Sequence, residues 1–305
     1  MRIGTSLVEA QSPQALDLIR DELLKAADDG FSSAWMAHIF GLDALTALAV
    51  AGRGIGGIEV GTAVVPTYPR HPAALAQQAL TAALALDARL VLGIGLSHKI
   101  VIKDMYGYSF DAPAAHMSEY LSILLPLLDG QPASFDGKTL RAGIGLSVPR
   151  RAEVPVMLAA MGPRMLQLAG ERTAGTILWM TGQATTRDYI VPTINKAARS
   201  AGRPLPRVVC ILPVCVTDDP DTARARAAKV FEIYGQLPSY RAMLDREGAQ
   251  GPADVAIVGS EDEVAAQISA LADGGVTDFV AGEFATGRDR LRTRNLLKTL
   301  IAAQP

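Results

Sequence analysis

The segment ARLVLGIGLSH, residues 88–98, decides how the rest of the chain is interpreted. Residues 90–92 are branched and apolar and predict a buried strand, because parallel strands covered on both faces are apolar on both sides. Gly93 and Gly95 remove side chains where another group must come close to the backbone. The Ser97-His98 pair follows at the carboxyl end of the strand, where ligands bind in parallel α/β proteins. A core strand followed by an ordinary loop is the alternative.

Strand-like and helix-like segments alternate from this segment to both ends of the chain. The predicted strands cover residues 2–8, 33–37, 58–65, 90–92, 154–160, 176–180, 208–216 and 276–281. Eight strands, each followed by a helix, predict an α/β fold of the (β/α)8 TIM-barrel type, with one domain over residues 1–305. A doubly wound open sheet is the alternative, but the Gly-x-Gly-x-x-Gly expected after its first strand is missing. The glycine-rich residues 52–57 follow a helix and predict a helix-to-strand connection.

Several local signals mark helix starts and insertions. Ser12-Pro13 and Asp219-Pro220 predict helices that begin with a cap and a first-turn proline. Ser260 and Glu263 have the spacing of a capping box. Residues 131–151 lack a long helical pattern and contain an Asp-Gly hairpin signal, so we expect an insertion there. A second insertion or lid is expected around residues 234–258.

Composition excludes several classes of function. Hydrophobic residues make up 49% of the 305 residues and charged residues 20%, which predicts a large core. The net charge of −2 gives no electrostatic argument for nucleic acid or an anionic membrane as partner. No apolar stretch reaches the roughly 18 residues of a membrane span. The strand-like start lacks a signal-peptide pattern and the two cysteines form no known framework, so we expect a cytoplasmic protein.

The predicted strand ends are poor in residues that carry chemistry by themselves. The four histidines have no metal-ligand spacing and there is no cysteine cluster, so no metal site is predicted. Residues 95–98 do not form the Gly-x-Ser-x-Gly of a nucleophile elbow. Glu9 and Glu283 are the only acids expected at the strand ends. An apolar, glycine-lined pocket with little charge suits a flat cofactor that carries the chemistry itself.

Two strand-to-helix connections have the features of phosphate sites. Residues 160–164 (Ala-Met-Gly-Pro-Arg) place Gly162 and Pro163 at the start of a helix, where exposed amides bind phosphate. Thr181 and Gly182 end the sixth strand with a hydroxyl and a glycine. A routine turn is the alternative for each.

At this point the chain resembles the luciferase-like oxidoreductases, the group that contains bacterial luciferase and the coenzyme F420-dependent enzymes. The similar segments are residues 30–35, 60–66, 71–73 with 76–78, 89–95, 258–260 and 272–279. They occur in the expected order over nearly the whole chain. One departure is Ala88, because the family more often has a glycine just before the arginine.

The resemblance implies a barrel with inserted segments and a deazaflavin or flavin at its carboxyl face. It implies a non-proline cis peptide near Ala63-Val64 that backs the cofactor ring. The cofactor-binding residues that it implies or that the strand ends suggest are Ala63, Val64, Val65, Gly95, Ser97, His98, Met161, Gly162, Pro163, Arg164, Thr181 and Gly182. It further implies His98 as a proton partner near the ring and His38 as a second polar, catalytic group beside it. His71 is expected to be structural, and His116 to lie in a lid or on the surface.

The resemblance predicts an oxidoreductase that uses coenzyme F420 to transfer a hydride to or from a small organic substrate. An FMN-dependent monooxygenase of the same superfamily is the alternative, and a non-catalytic barrel that binds F420 or another ligand is the second. Lys99, Lys103 and Arg164 are candidates for the acidic tail of F420, which FMN lacks. Relatives are often dimers, so a homodimer is expected, with residues 44–50 and 73–86 as a candidate face. The identity of the substrate is not predicted; residues 106–110 and 234–240 are candidate lids.

Overall fold

Eight parallel strands pair side by side and close into a ring, as the alternating pattern predicts. The computed structural model describes residues 1–7 and 11–304. In chain order its strands are β1 Arg2–Ser6, β2 Ser33–Met36, β3 Glu59–Thr62, β4 Val65–Pro66, β5 Leu90–Gly95, β6 Ala133–Asp136, β7 Arg141–Ile144, β8 Val156–Leu158, β9 Gly175–Trp179, β10 Arg207–Val216, β11 Ile257–Gly259 and β12 Asp278–Glu283. The ring consists of β1, β2, β3, β5, β8, β9, β10 and β12, and the β9–β10 and β1–β12 pairings close it.

Helices cover the outside of the ring. They are α1 Ala15–Asp28, α2 Ala44–Ala51, α3 Pro72–Ala85, α4 Pro113–Leu128, α5 Pro163–Arg172, α6 Gln183–Thr185, α7 Val191–Ser200, α8 Pro220–Val230, α9 Glu232–Gln236, α10 Pro238–Glu247, α11 Glu261–Asp273 and α12 Gly287–Ala302. Residues Ile100–Met105 and Thr186–Ile190 form π-helical turns, and Pro252–Val255 a 3₁₀ turn. No helix in the described residues is long and apolar enough to cross a membrane.

Two apolar layers follow from the alternation of side chains along each strand. The outward side chains form the large core between strands and helices. The inward side chains fill the barrel itself. These inward residues are Trp35, Val91, Met157, Ile177, Val209, Ile211 and Val280. Trp35 lies directly over Gly61, since a Cβ at Gly61 would stand 2.4 Å from the indole, and its N–H donates to Ser33 over 2.9 Å.

The ends of some elements differ from the predicted ends, and others agree with them. The first helix begins at Ala15 instead of at Pro13, with Ser12 in the preceding turn. The third strand is interrupted, because β3 stops at Thr62 and pairing with β5 resumes at Val65. The capping box at Ser260 and the cap at Asp219 are present. Residue Glu9 and the end of the predicted first strand lie outside the described residues.

The segment between α4 and β8 contains an antiparallel hairpin, β6–β7, as the Asp-Gly signal predicts. The Glu119 carboxylate on α4 holds its turn by accepting from the amides of Lys138, Thr139 and Leu140 at 2.9–3.0 Å and from the Thr139 hydroxyl at 2.7 Å. Burial raises the pKa of Glu119, but the four hydrogen bonds together outweigh this effect and lower the pKa to about 2. The hairpin therefore rests on the helix layer, outside the barrel.

Candidate active site at the carboxyl ends of the strands

Glycines at the end of β5 make room for neighbouring strands. A Cβ at Gly93 would stand 1.9 Å from the Thr62 carbonyl oxygen, and one at Gly95 would stand 2.6 Å from the side chain of Val64. Thr62 Oγ donates to the Gly93 carbonyl and accepts from the Gly93 amide, at 2.8 and 2.9 Å. The predicted close approach is therefore real, and the groups that approach are side chains and backbone of the barrel.

A cis peptide bond joins Ala63 to Val64, at the position that the family resemblance implies. It lies in the gap between β3 and β4. Both side chains are half-buried and contact the apolar cluster inside the barrel. The backbone at this gap therefore presents two apolar side chains to the mouth of the barrel, which is the open end at the carboxyl ends of the strands.

The rest of the mouth is built from small residues. Alternation from Gly4, Met157 and Val280 directs Ser6, Ala159 and Gly282 inward at the ends of their strands. A Cβ at Gly282 would stand 3.4 Å from the Trp179 ring, which confirms that direction. The result is a shallow apolar cup with Val64 and Trp179 on its floor. Glu283, the next residue, points outward and binds Arg294 at 2.7 Å, so its carboxylate is outside the cup.

His98 lies at the rim of this cup, directly after a backbone turn of unusual conformation. Ser97 has a φ of +59°, in the left-handed region that non-glycine residues seldom adopt. Met180, at the end of β9, has a φ of +53°. Such conformations concentrate at functional sites. Burial lowers the pKa of His98, so its imidazole is neutral at pH 7.

A series of aromatic rings crosses the mouth from β5 to β12. The His98 ring is 5.5 Å from Tyr240, Tyr240 is 5.3 Å from Tyr234, and Tyr234 is 5.6 Å from Trp179, between ring centroids. The series continues through Phe231 and Phe284 at 5.7 and 5.8 Å. Three of these rings, Phe231, Tyr234 and Tyr240, belong to or adjoin α9 and α10, within or next to the predicted insertion. We call α9 and α10 the cover helices.

The cover helices are fixed at the far end of α10. Glu247 accepts from the amides of Ala184 and Thr185 at 2.9 and 2.6 Å. The Arg246 guanidinium lies 4.0 Å over the Tyr189 ring. A Cβ at Gly182 would stand 2.2 Å from the Glu247 carboxyl carbon, so only glycine permits this contact.

Glu247 also bears on the predicted phosphate role of Thr181 and Gly182. The amides after Gly182 already have a carboxylate as acceptor. The Thr181 side chain is fully buried and approaches Met161 Sδ at 3.7 Å. A phosphate role for these two residues stays a prediction, and it would require displacement of Glu247.

The other predicted phosphate segment is open. Gly162 caps α5, and a Cβ placed there would meet nothing within 4 Å. Pro163 and Arg164 are exposed in the first turn, and Met161 is half-buried beside them. The first amides of a ten-residue helix thus face outward next to the cup.

His38 lies at the end of β2 and is bound on both ring nitrogens. Nδ1 accepts from the Ala44 amide at 3.2 Å, and Nε2 is 3.2 Å from Arg70 and 3.9 Å from Asp43. Arg70 and Asp43 form an ion pair with each other. These contacts connect His38 to the start of α2, and no ring contact joins it to His98 among the described residues. Its role as a catalytic group stays a prediction.

The prediction for His116 is wrong. Only 7% of this residue is exposed, its ring stacks on Tyr68 with centroids 3.9 Å apart, and Nε2 lies 3.1 Å from the buried Thr67 hydroxyl. Burial lowers the pKa of His116 to about 4. His71 caps α3 by accepting from the Ala73 amide, in agreement with its predicted structural role. No group of three or more His, Cys, Asp or Glu that could hold a metal is found among the described residues.

By its fold this chain is a (β/α)8 TIM-barrel protein. It has a non-proline cis peptide and a small-residue cup at the carboxyl face of the barrel. A sequence profile of the family described as luciferase-like monooxygenase matches residues 1–278. The chain belongs to this family, and it is an enzyme.

Individual relatives agree with this assignment. A 5,10-methylenetetrahydromethanopterin reductase of Methanolobus tindarius is 26% identical over 84% of this chain and 87% of its own. A solved F420-dependent secondary alcohol dehydrogenase, in complex with an F420-acetone adduct, has a TM-score of 0.81 at 18% identity, covering 99% and 98% of the two chains. An FMN-bound type II Baeyer-Villiger monooxygenase component of Pseudomonas putida has a TM-score of 0.76 at 18% identity over 99% and 98%. At these identities the two structures establish the fold alone.

Proposed function

We propose that this enzyme is an oxidoreductase that uses coenzyme F420 to exchange a hydride with a small organic molecule. The observation that carries the proposal is the apolar, small-residue cup behind which the Ala63-Val64 cis peptide lies and at whose rim stands a neutral histidine. Such a cup offers neither metal ligands nor a carboxylate from the described strand ends. It suits a flat ring that carries the redox chemistry itself. The relative in Methanolobus tindarius supports a reductase.

The residues present fit such a cofactor. Val64 and Gly95 would face the ring, with Ala63 beside them and Ser97 and His98 at its edge. Val65, also predicted to bind the cofactor, is fully buried in the core outside the barrel. The open amides after Gly162 would accept a phosphate, with Met161, Pro163 and Arg164 around them. When bound, F420 supplies the hydride-carrying ring. The chain then orients that ring, excludes water with the cover helices and offers the neutral His98 imidazole as a group that accepts a proton.

FMN is the second candidate, because the monooxygenase structure with the same fold contains it. The two cofactors share a ribityl phosphate and differ in the acidic tail of F420. Lys99, Lys103 and Arg164 are exposed near the ends of the adjacent strands β5 and β8 and form no ion pair within the described part of the chain. Three unpaired cations on this side of the rim favour the cofactor with the acidic tail.

Equilibrium binding of F420 and of FMN to the purified protein, followed by fluorescence at low ionic strength, tests the cofactor. We expect tight binding of F420 and weak binding of FMN. Lys103→Gln should weaken F420 binding several-fold without changing FMN binding, whereas Lys196→Gln on the outer helix α7 should change neither. Preferential binding of FMN would transfer the protein to the monooxygenases, and binding of neither would refute the proposal.

His98→Ala tests the proton role. We expect turnover to fall by about 10²-fold or more, the usual contribution of general acid–base catalysis, with little change in F420 affinity. Equal losses of turnover and of affinity would instead assign His98 to cofactor binding.

We further propose a homodimer. The apolar faces of α2 and α3 are already buried within one chain, but Val50 is 56% exposed at the end of α2. The molar mass of the wild type and of Val50→Lys in solution, measured by light scattering, tests this face. A monomeric wild type would contradict the proposal.

A further inference from the structure

Helix α4 contacts the backbone segment that forms one side of the cup. This segment, residues 63–67, follows β3, places Val64 on the floor of the cup and ends at Thr67. Thr67 is fully buried, and its amide donates to the Gly95 carbonyl at 3.0 Å. Its hydroxyl lies 3.1 Å from Nε2 of His116 on α4. Thr67 therefore ties the segment to two elements, β5 beside it and α4 in the helix layer.

His116 is the group on α4 that makes this tie. Its ring stacks on Tyr68 with centroids 3.9 Å apart and 9° between the planes, and it lies 5.7 Å from the ring of Tyr120. The Tyr120 hydroxyl donates to the Arg70 carbonyl at 3.0 Å, so α4 also holds the chain beyond Tyr68. Burial lowers the pKa of His116 to about 4, and the imidazole is neutral at pH 7. Two aromatic neighbours thus fix a neutral ring whose nitrogen faces one hydroxyl.

Other contacts of the segment restrain it less well towards the helix layer. The β4 strand has two residues, so its ladder with β5 is short. Val65 packs in the outer core through apolar contacts, which have no directional preference. A hydrogen bond weakens steeply with distance and angle. The bond between Thr67 and His116 is therefore the directional contact that fixes the segment relative to α4.

We propose that His116 is a positioning residue, which through the Thr67 hydroxyl sets where Val64 and Gly95 meet the flat ring of the cofactor. This inference rests on the proposed function for the identity of that ring. His116 acts from the helix layer and contacts neither the cofactor nor the substrate. Its effect is on the fit of the ring, and small errors in such a fit are costly in enzymes.

Two substitutions at His116 separate this role from packing alone. Glutamine carries a neutral amide that can pair with the Thr67 hydroxyl, whereas leucine is apolar and cannot. We expect His116→Leu to weaken F420 binding roughly tenfold, the effect of one lost hydrogen bond, and to shift the visible absorption band of bound F420 towards that of the free coenzyme. His116→Gln should retain the wild-type values. Titration of the full-length protein with F420, followed by absorbance and fluorescence, measures both.

Thr67→Val is the second variant, because it keeps the shape of the side chain and removes the hydroxyl. If one bond is responsible, Thr67→Val weakens F420 binding as His116→Leu does, and the double variant loses no more than either single variant. Additive losses would show that the two residues act separately and would overturn the inference. Thr67→Val also decides the question by itself if His116→Leu does not fold.

Leu128→Ala is the matched control for lost packing. Leu128 is buried at the end of α4, about three turns from His116, and its truncation leaves a cavity in the same helix layer. Urea unfolding should show reduced stability, while F420 affinity stays at the wild-type value. Equal losses of F420 affinity in Leu128→Ala and His116→Leu would reduce His116 to a structural role. Equal F420 binding by the wild type and His116→Leu would also overturn the inference.

The identity of the cofactor is decided separately. If the wild type binds FMN and not F420, the proposed function fails, and the same comparison with FMN decides the role of His116. Hydrogen exchange of the Thr67 amide needs no cofactor: His116→Leu should speed it, and His116→Gln should not. Unchanged exchange in His116→Leu would show that His116 does not hold the segment, whichever ring binds. If F420 binds the wild type and His116→Leu alike, the inference alone fails.

Discussion

His116 is a buried base whose environment sets an acid limit on stability. Its folded pKa of about 4 lies below the ordinary value of 6.5, because burial penalises the charged form. The unfolded chain therefore binds a proton first as pH falls. The stabilisation is complete above pH 6.5, decreases as pH falls from 6.5 towards 4, and is fully lost below 4.

We expect the free energy of unfolding to fall by about 2 kcal/mol more between pH 7 and pH 5 in the wild type than in His116→Gln. Urea unfolding at the two pH values measures this difference. His98, whose pKa is also lowered, contributes with the same sign to both proteins. An unchanged pH dependence in His116→Gln would contradict the prediction.

Ala88 occupies a backbone position that suits glycine. Its φ is +64°, and Asp87 before it has a φ of +50°. The left-handed region costs an L-residue about 1–2 kcal/mol, whereas glycine adopts it freely at a smaller entropic cost. We expect Ala88→Gly to stabilise the protein by about 1 kcal/mol without changing activity, because the residue precedes β5 at the end remote from the cup.

Ala85→Gly, at the end of α3, is the control for this substitution and should destabilise by about 0.5–1 kcal/mol. Chemical denaturation of the three proteins gives the comparison. Destabilisation in both variants would show that the backbone at residue 88 is not strained.

Some site residues could be predicted from the local sequence pattern. Others were missed because their position depends on contacts with distant parts of the chain. Gly93 and Gly95 were identifiable because a glycine in a buried strand indicates close approach, but the approaching groups are Thr62 at the end of β3 and Val64 in the gap after it. The position of His116 was recoverable, since it lies four residues before the buried Tyr120 on the same face of α4. The left-handed Ser97 has no sequence signal, because serine occurs in every type of turn.

At the scale of elements, the cover helices depend on one carboxylate. Glu247 accepts two amide hydrogen bonds at a helix start, where a negative charge is favourable. We expect Glu247→Gln to raise the rate of hydrogen exchange in residues 231–247 about tenfold, equivalent to about 1.4 kcal/mol, with a smaller change in the barrel.

Asp245→Asn is the matched control for this prediction. Asp245 lies on the same helix, but its side chain is 66% exposed and pairs with Arg241. Exchange in α10 should stay at the wild-type rate. Unchanged exchange in Glu247→Gln would mean that ring contacts, and not Glu247, hold the cover helices in place.

The order of the elements was predicted from the regular spacing of apolar residues along the sequence. The elements that the prediction missed have no such regular spacing. The π-helical turn Ile100–Met105 is rich in β-branched residues and is too short for a helical pattern. β11 has three residues and exists because the long strand β10 extends beyond the ring and offers its last residues for pairing. Pairing of that kind depends on distant parts of the chain and leaves no local signal.

At the scale of the whole molecule, the two ends of the barrel are chemically different. The carboxyl end holds the neutral cup and the aromatic rings. The amino end holds an ion cluster of Arg2, Glu59, Arg207 and Asp278, drawn from four strands. The closed barrel was predictable from eight repeated units, but neither this cluster nor the contact of Tyr240 with His98 was, because each joins residues that only the closed ring brings together.

The ion cluster predicts a substitution that lowers stability but leaves cofactor binding unchanged. Arg207 binds Glu59 at 2.8 Å and Asp278 at 2.6 Å, and the Asp278 side chain is 2% exposed. Asp278→Ala leaves Glu59 as the remaining partner of a partly buried Arg207, so the cost should lie at the lower end of the roughly 3–5 kcal/mol that breaking a buried pair entails. We expect Asp278→Ala to lower the free energy of unfolding by about that amount while the folded fraction keeps its F420 affinity.

Asp136→Asn is the control, because it removes a partner from an exposed ion pair. The side chains of Asp136 and Arg141 are 76% and 79% exposed, so the substitution should cost under about 1 kcal/mol. Because the cluster lies at the end of the barrel opposite the cup, a large loss of F420 affinity in folded Asp278→Ala would contradict this separation of stability from chemistry.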